Sequence, residues 1–149
     1  MSIGEICNRE VVYVSRDVTV NAACKLMRHY HVGSLVVVDE SEGKRVPVGI
    51  LTDRDIVVEI DAMDLDGKVI TAGDIMSQEL TTVAESFGVH ETIEIMRFKG
   101  VRRLPVVDSD NRLAGIVTID DLLEVLAEEL SDIARIVARE QSHEQHARK

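Results

Sequence analysis

The chain has 149 residues, 45% of them hydrophobic, which suits one compact domain or two small ones, and its four aromatics (Tyr13, Tyr30, Phe87, Phe98) leave the core to aliphatic packing. A net charge of −10 and a pI near 4.9 argue against electrostatic binding to nucleic acid or to an anionic membrane surface. Cys7 and Cys24 lack metal-type or redox-type spacing, and neither a leader-like N-terminus nor a run of about 20 apolar residues is present, so a cytoplasmic protein with reduced thiols is expected.

Taken in order, the chain repeats itself. Residues 4–39 align with 73–108 at an offset of 69, as in Gly4 and Gly73, Val20 and Val89, or Asp39 and Asp108. After a loop three residues shorter in the second copy the offset becomes 66, pairing Gly49, Ile50, Thr52 and Asp55 with Gly115, Ile116, Thr118 and Asp121. Each copy opens on an apolar lead-in, Val11–Val14 or Leu80–Val83. A helix follows, with one apolar face at Val20, Ala23, Met27 and Tyr30, or at Val89, Ile93 and Met96.

Two strands come next, Leu35–Val38 and Val48–Leu51, joined by the polar loop Asp39–Arg45. Their counterparts are Leu104–Val107 and Leu113–Val117 around the tighter turn Asp108–Asn111, with Pro105 expected at a strand start or on an edge. A closing helix ends each copy. The boundaries read as repeat 1 over 1–60, a linker over 61–72 with its acidic turn at Asp61–Gly67, repeat 2 over 73–130, and a helix extension with a charged tail over 131–149. The last helix carries a continuous apolar stripe, Leu122, Leu126, Leu130, Ile133 and Val137, and from Arg139 the composition predicts fraying.

Chemistry concentrates in the doubled Gly-h-h-Thr-x-x-Asp segment. Thr falls where strand hands over to helix, and a helix N-terminus with unpaired N–H groups suits a phosphate. The Asp one turn on can accept hydrogen bonds from a vicinal diol such as ribose. The plainer alternative is a capping box that satisfies only the backbone. A second signal is the cluster Arg97, Lys99, Arg102 and Arg103, four cations within seven residues of an acidic chain, suited to bidentate phosphate contacts if not simply a solvated run. His29 and His31 near Cys24 lack ligand spacing, and no nucleophile–base pair, Walker loop or dinucleotide fingerprint occurs, so neither a metal site nor an enzyme is expected.

The β-α-β-β-α order, the duplication, the paired Gly-h-h-Thr-x-x-Asp ends and the segment Val101–Asp108 together resemble the CBS domain family, as a tandem pair or Bateman module over about 1–130. The resemblance implies an α+β fold of two repeats packed around a pseudo-twofold axis, acting as a regulatory module. Its two shared clefts would bind AMP, ADP, ATP or S-adenosylmethionine. Carried over, ribose falls to Asp55 and Asp121, and the hydroxyl contacts to Thr52 and Thr118. Adenine falls to Val12 and Val32 with Ile116 in one cleft, and to Thr81 and Val101 with Ile50 in the other.

Phosphate falls to Arg102 and Arg103, which this reading groups with Thr118 and Asp121, leaving Thr52 and Asp55 beside the uncharged Gly33 and Ser34. A homodimer, an unidentified regulated protein and no cofactor beyond the nucleotide complete the implication. A ligand-free interaction module, or a metal- or nucleic-acid-binding variant of the same fold, is the alternative.

Overall fold

The computed structural model describes residues 1–148. Repeat 1 contains α1 (Ile3–Ile6), β1 (Tyr13–Ser15), α2 (Val20–Tyr30), β2 (Ser34–Ser41), β3 (Lys44–Thr52) and α3 (Asp53–Ile56), which runs into a π-helical turn at Val57–Asp61. Repeat 2 contains α4 (Ala72–Ile75), β4 (Val83–Ala84), α5 (Val89–Lys99), β5 (Arg103–Val107), β6 (Leu113–Thr118) and α6 (Ile119–Ala147). Each repeat forms a three-stranded sheet, β1-β2-β3 or β4-β5-β6, with the first pair parallel and the second antiparallel. No helix among the described residues is long and apolar enough to cross a membrane.

The repeated sequence produces repeated local geometry. Helices α2 and α5 both stop on a left-handed residue, His31 (φ 55°) and Gly100 (φ 66°), which closes the last turn back on Met27 and Met96. His31, which lacked ligand spacing, serves as a helix cap. A bulge falls at the same place in both hairpins, Val37/Val38 and Val106/Val107.

The lead-in helices are exchanged. In α4, Ala72 and Gly73 donate to the carbonyls of Val18 and Arg16 at 2.7 and 3.0 Å; in α1, Ile3 and Gly4 donate to Phe87 and Glu85 at 2.7 and 2.9 Å. Ala72 and Met76 accordingly join the core of Val14, Ala23, Met27, Leu35, Val37 and Leu51, while Ile3 joins that of Val83, Met96, Leu104, Val106, Val117 and Leu122. Each crossing segment then lies along the other repeat's last strand. Asn8 exchanges two backbone hydrogen bonds with Ile116, both 2.9 Å, and Ser77 donates to Ile50 at 3.3 Å.

This close approach explains the glycine that opens each repeated motif. A Cβ on Gly115 would lie 2.7 Å from Cys7 Sγ and 2.8 Å from the Asn8 carbonyl, and one on Gly49 would lie 2.5 Å from Met76 Sδ. Burial pushes the Cys7 thiol up, so it packs there as a neutral group.

Three local expectations are corrected. The loop Asp39–Arg45 is largely strand: β2 and β3 extend to a two-residue turn, Glu42 (φ 54°) and Gly43 (φ 74°), because both central residues adopt the positive φ that a tight hairpin needs. The strand tips are held by Glu40–Arg45 and Asp39–Arg16 ion pairs and by Arg45 over the Tyr13 ring. Pro105 occupies the middle of the central strand β5, fully buried, rather than a start or an edge.

The proline is tolerated because the parallel ladder begins only at Val83 and Val106, one position beyond it. Its counterpart Val36 donates to the Val12 carbonyl, and β1 is correspondingly one residue longer than β4. Finally, α6 does not fray at Arg139 but continues to Ala147, supported by one-turn contacts from Arg148 to Glu144 and between His146 and the Ser142 carbonyl.

Gly115→Ala should destabilise the fold by about 1–3 kcal/mol, because the added methyl meets a backbone carbonyl that cannot yield, whereas Gly49→Ala should cost less, since the Met76 side chain can bend away. Thermal melts of the two variants check the order. Acid should also weaken the fold. Asp39, Asp74 and Asp108 are held below the usual carboxylate range by hydrogen bonds from Arg16, the Thr71 backbone and the Arg112 backbone respectively. Their contribution is complete above the unfolded value near 4 and is lost as pH falls through the lower folded values, so melting temperatures at pH 7, 4 and 3 should drop mainly between the last two.

Candidate functional site

Thr52 and Thr118 each follow a last strand and precede a helix, and both form the reciprocal capping arrangement. Thr52 Oγ1 accepts from Asp55 N–H at 3.1 Å while Asp55 Oδ2 accepts from Thr52 N–H at 2.9 Å; for Thr118 and Asp121 the distances are 3.3 and 2.9 Å. The carboxylates therefore do not face a ligand with both oxygens. What stays without a protein partner is the other oxygen, Oδ1, and the hydroxyl hydrogen.

The helix N–H groups are also less available than the sequence suggested. Asp53 N–H donates to the Gly33 carbonyl at 3.0 Å, Arg54 N–H to Asp53 Oδ1 at 2.8 Å and Asp55 N–H to Thr52, so the first turn of α3 is satisfied internally. In the second copy Ile119 N–H donates to the Arg102 carbonyl at 2.8 Å. An anion at Thr52 must rely on side chains.

Those side chains are present. A cavity of about 450 Å³ lies between the repeats, walled on one side by Ile50, Thr52, Arg54 and Asp55 and on the other by Thr81, Val101, Arg102 and Arg103, with Ser77 and Glu79 from the crossing segment. Arg54, Arg102 and Arg103 form no ion pair among the described residues, whereas Arg9, Arg16, Arg45 and Arg112 each bridge to a carboxylate. Three uncommitted guanidiniums thus line one cavity of a chain with net charge −10. Asp53 and Glu79 share that lining, and Asp53 is turned against Gly33.

The grouping of Arg102 and Arg103 with Thr118 and Asp121 is therefore corrected. Arg103 is the cross-strand neighbour of Thr118, yet the cavity that it and Arg102 line is that of Thr52 and Asp55. The exchange is the reason: with Ser77–Thr81 laid along β3, the entrance to β5 faces the start of α3. Ile50, Thr81 and Val101 are brought into this cavity together. Arg54, from within the first Gly-h-h-Thr-x-x-Asp segment, joins them.

The pseudo-symmetric side is different. Val12 and Val32 line a cavity of about 590 Å³ with Asn8, Glu10, Tyr13 and Tyr30, but Ile116, Thr118 and Asp121 do not border it, and it contains no arginine. Among the described residues no group of three His, Cys, Asp or Glu side chains comes together at metal-holding distance.

The CBS domain family model matches residues 3–62 and 72–128. An uncharacterized protein of Methanopyrus kandleri is 40% identical over 125 residues, 84% of this chain and 62% of that one, so the chain spans less than two thirds of this relative's length. Hypoxic response protein 1 of Mycobacterium tuberculosis is 35% identical over 124 residues, covering 83% of this chain and 84% of that protein. Among solved structures, the CBS domain pair of protein MJ0100 in complex with 5′-methylthioadenosine and S-adenosyl-L-methionine superimposes with a TM-score of 0.74 at 26% identity, covering 87% of this chain and 98% of that one. With two matched segments, each containing one of the two three-stranded sheets, the chain belongs to the CBS domain family as a tandem pair.

Proposed function

We propose that this chain is a non-catalytic, cytoplasmic sensor that holds an adenine nucleotide (AMP, ADP or ATP) in the cleft of Thr52 and Asp55 and signals its occupancy, as a homodimer, to an unidentified protein. The observation that carries this reading is the set of three unpaired guanidiniums in that cleft. A phosphate leaving water needs fixed charged donors, and Arg54, Arg102 and Arg103 offer them where backbone N–H groups do not. Adenine would lie against Ile50, Thr81 and Val101, and the ribose hydroxyls would donate to Asp55 Oδ1. The adenosine compounds in the MJ0100 pair support this class of ligand.

The cavity of Val12 and Val32 on the other side has no matched cation, and Ile116, Thr118 and Asp121 do not border it. It would take S-adenosylmethionine or an uncharged adenosine compound, or bind the nucleotide weakly.

Two titrations test this. Arg102→Ala combined with Arg103→Ala should weaken AMP binding by tenfold or more and flatten its salt dependence, while leaving adenosine binding nearly unchanged. Equal losses for AMP and adenosine would refute the phosphate role. Asp55→Ala and Asp121→Ala each remove a capping carboxylate and should each cost about 1 kcal/mol of stability. Only Asp55→Ala should also reduce AMP affinity, by roughly tenfold, since hydrogen bonds to a charged group are worth about 1.5–3 kcal/mol. Calorimetry showing unaltered AMP affinity for Asp55→Ala would reduce Thr-x-x-Asp to a helix cap.

A further inference from the structure

Helix α6 runs well past the repeat that it closes, and its exposed large apolar residues, all but Ile136, keep a strict register. Ile119, Leu123, Leu126, Leu130, Ile133 and Val137 follow one another at alternating steps of four and three, and every one of them is 36–69% exposed. That is a coiled-coil seam, and from Leu130 onward nothing among the described residues covers it. Charge along the helix is segregated. Residues 119–132 carry six carboxylates (Asp120, Asp121, Glu124, Glu128, Glu129, Asp132) and no cation, whereas residues 133–148 carry three arginines and two histidines against two glutamates.

We infer that α6 pairs with α6 of a second copy in antiparallel orientation, centred between Leu130 and Ile133; this rests on the homodimer reading above and assigns its interface. A parallel pair would set six carboxylates against six and align the two helix dipoles. The antiparallel pair sets the acidic half against the cationic half and opposes the dipoles.

The body of the protein fits the same arrangement. Between α5 and α6 lies an apolar groove of about 390 Å³, lined by Ile93, Met96, Val101 and Leu122 together with the seam residues Ile119, Leu123 and Leu126. In the antiparallel register Leu126 opposes Val137 of the partner subunit and Leu123 opposes Glu140 of the partner subunit. The protruding half of one helix therefore covers the groove of the other copy. Past Val137 the register continues through Glu140 and Glu144, and Arg97, on the groove's rim and 3.7 Å from Glu94, is the cation nearest to where Glu140 of the partner subunit would fall.

Sedimentation of the full chain at tens of micromolar should show a dimer, and Leu130→Asp with Ile133→Asp should raise its dissociation constant at least 100-fold. Both side chains are exposed, so circular dichroism and the melting temperature should stay close to wild type. Orientation is read by mixing Leu126→Cys and Val137→Cys copies, each carrying Cys7→Ala and Cys24→Ala. Oxidation should yield the mixed 126–137 cross-link and little of either symmetric one. A dimer that survives the double substitution, or a dominant 126–126 cross-link, overturns the pairing while leaving the homodimer standing. A monomeric wild type overturns both.

Discussion

The whole architecture depends on one close approach, the passage of backbone from one repeat over the glycine at the end of the other repeat's sheet. At Gly115 the passing segment is Cys7–Asn8 and at Gly49 it is Met76–Ser77, positions related by the same internal offset. A side chain at Gly115 would meet the passing backbone itself, and one at Gly49 would displace the Met76 side chain from its place. Neither core is complete without this exchange, since α1 contributes Ile3 to one, and α4 contributes Ala72, with Met76 directly after it, to the other. Two small sheets of three strands each would bury little apolar surface alone, and pooling their lead-ins is how the pair gains two closed cores.

The same passage creates the cleft. It carries the residues before β4 and β5 across to the start of α3, so a cavity with walls from both repeats is an outcome of packing before it is a site. The capping boxes at Thr52 and Thr118 show how structural and recognition roles coexist in one residue. One carboxylate oxygen of Asp55 fixes the helix start, and its position is thereby fixed for anything that addresses the other. A residue pinned in this way loses little further freedom on meeting a ligand.

Much of this was legible in the sequence because the chain states its design twice. The helices, the strand pairs and the Gly-h-h-Thr-x-x-Asp junctions follow from periodicity and from comparing the copies. Which repeat the arginines face was not legible, because spacing along the chain records neighbours in sequence, and exchange makes the decisive neighbours lie about 50 residues apart. The hairpin tip was missed for a different reason: Glu42 adopts a left-handed conformation that its residue type does not announce. Pro105 was misplaced because the rule that excludes proline from central strands assumes a partner strand beside it, and β4 starts one residue too late to be one.

The exchange of α1 has a consequence for synthesis. A chain emerging from the ribosome presents Ile3 well before the core that receives it, which is assembled from Val83, Met96, Leu104, Val106, Val117 and Leu122. The other core can close as soon as Met76 has emerged. A segment made before either sheet is thus among the last to find its place, and until Leu122 has emerged it must be kept from competing strand edges. Contacts of such separation make closure of the second core the slow entropic step, so the two halves of a duplicated design, alike in structure, are unlike in folding order.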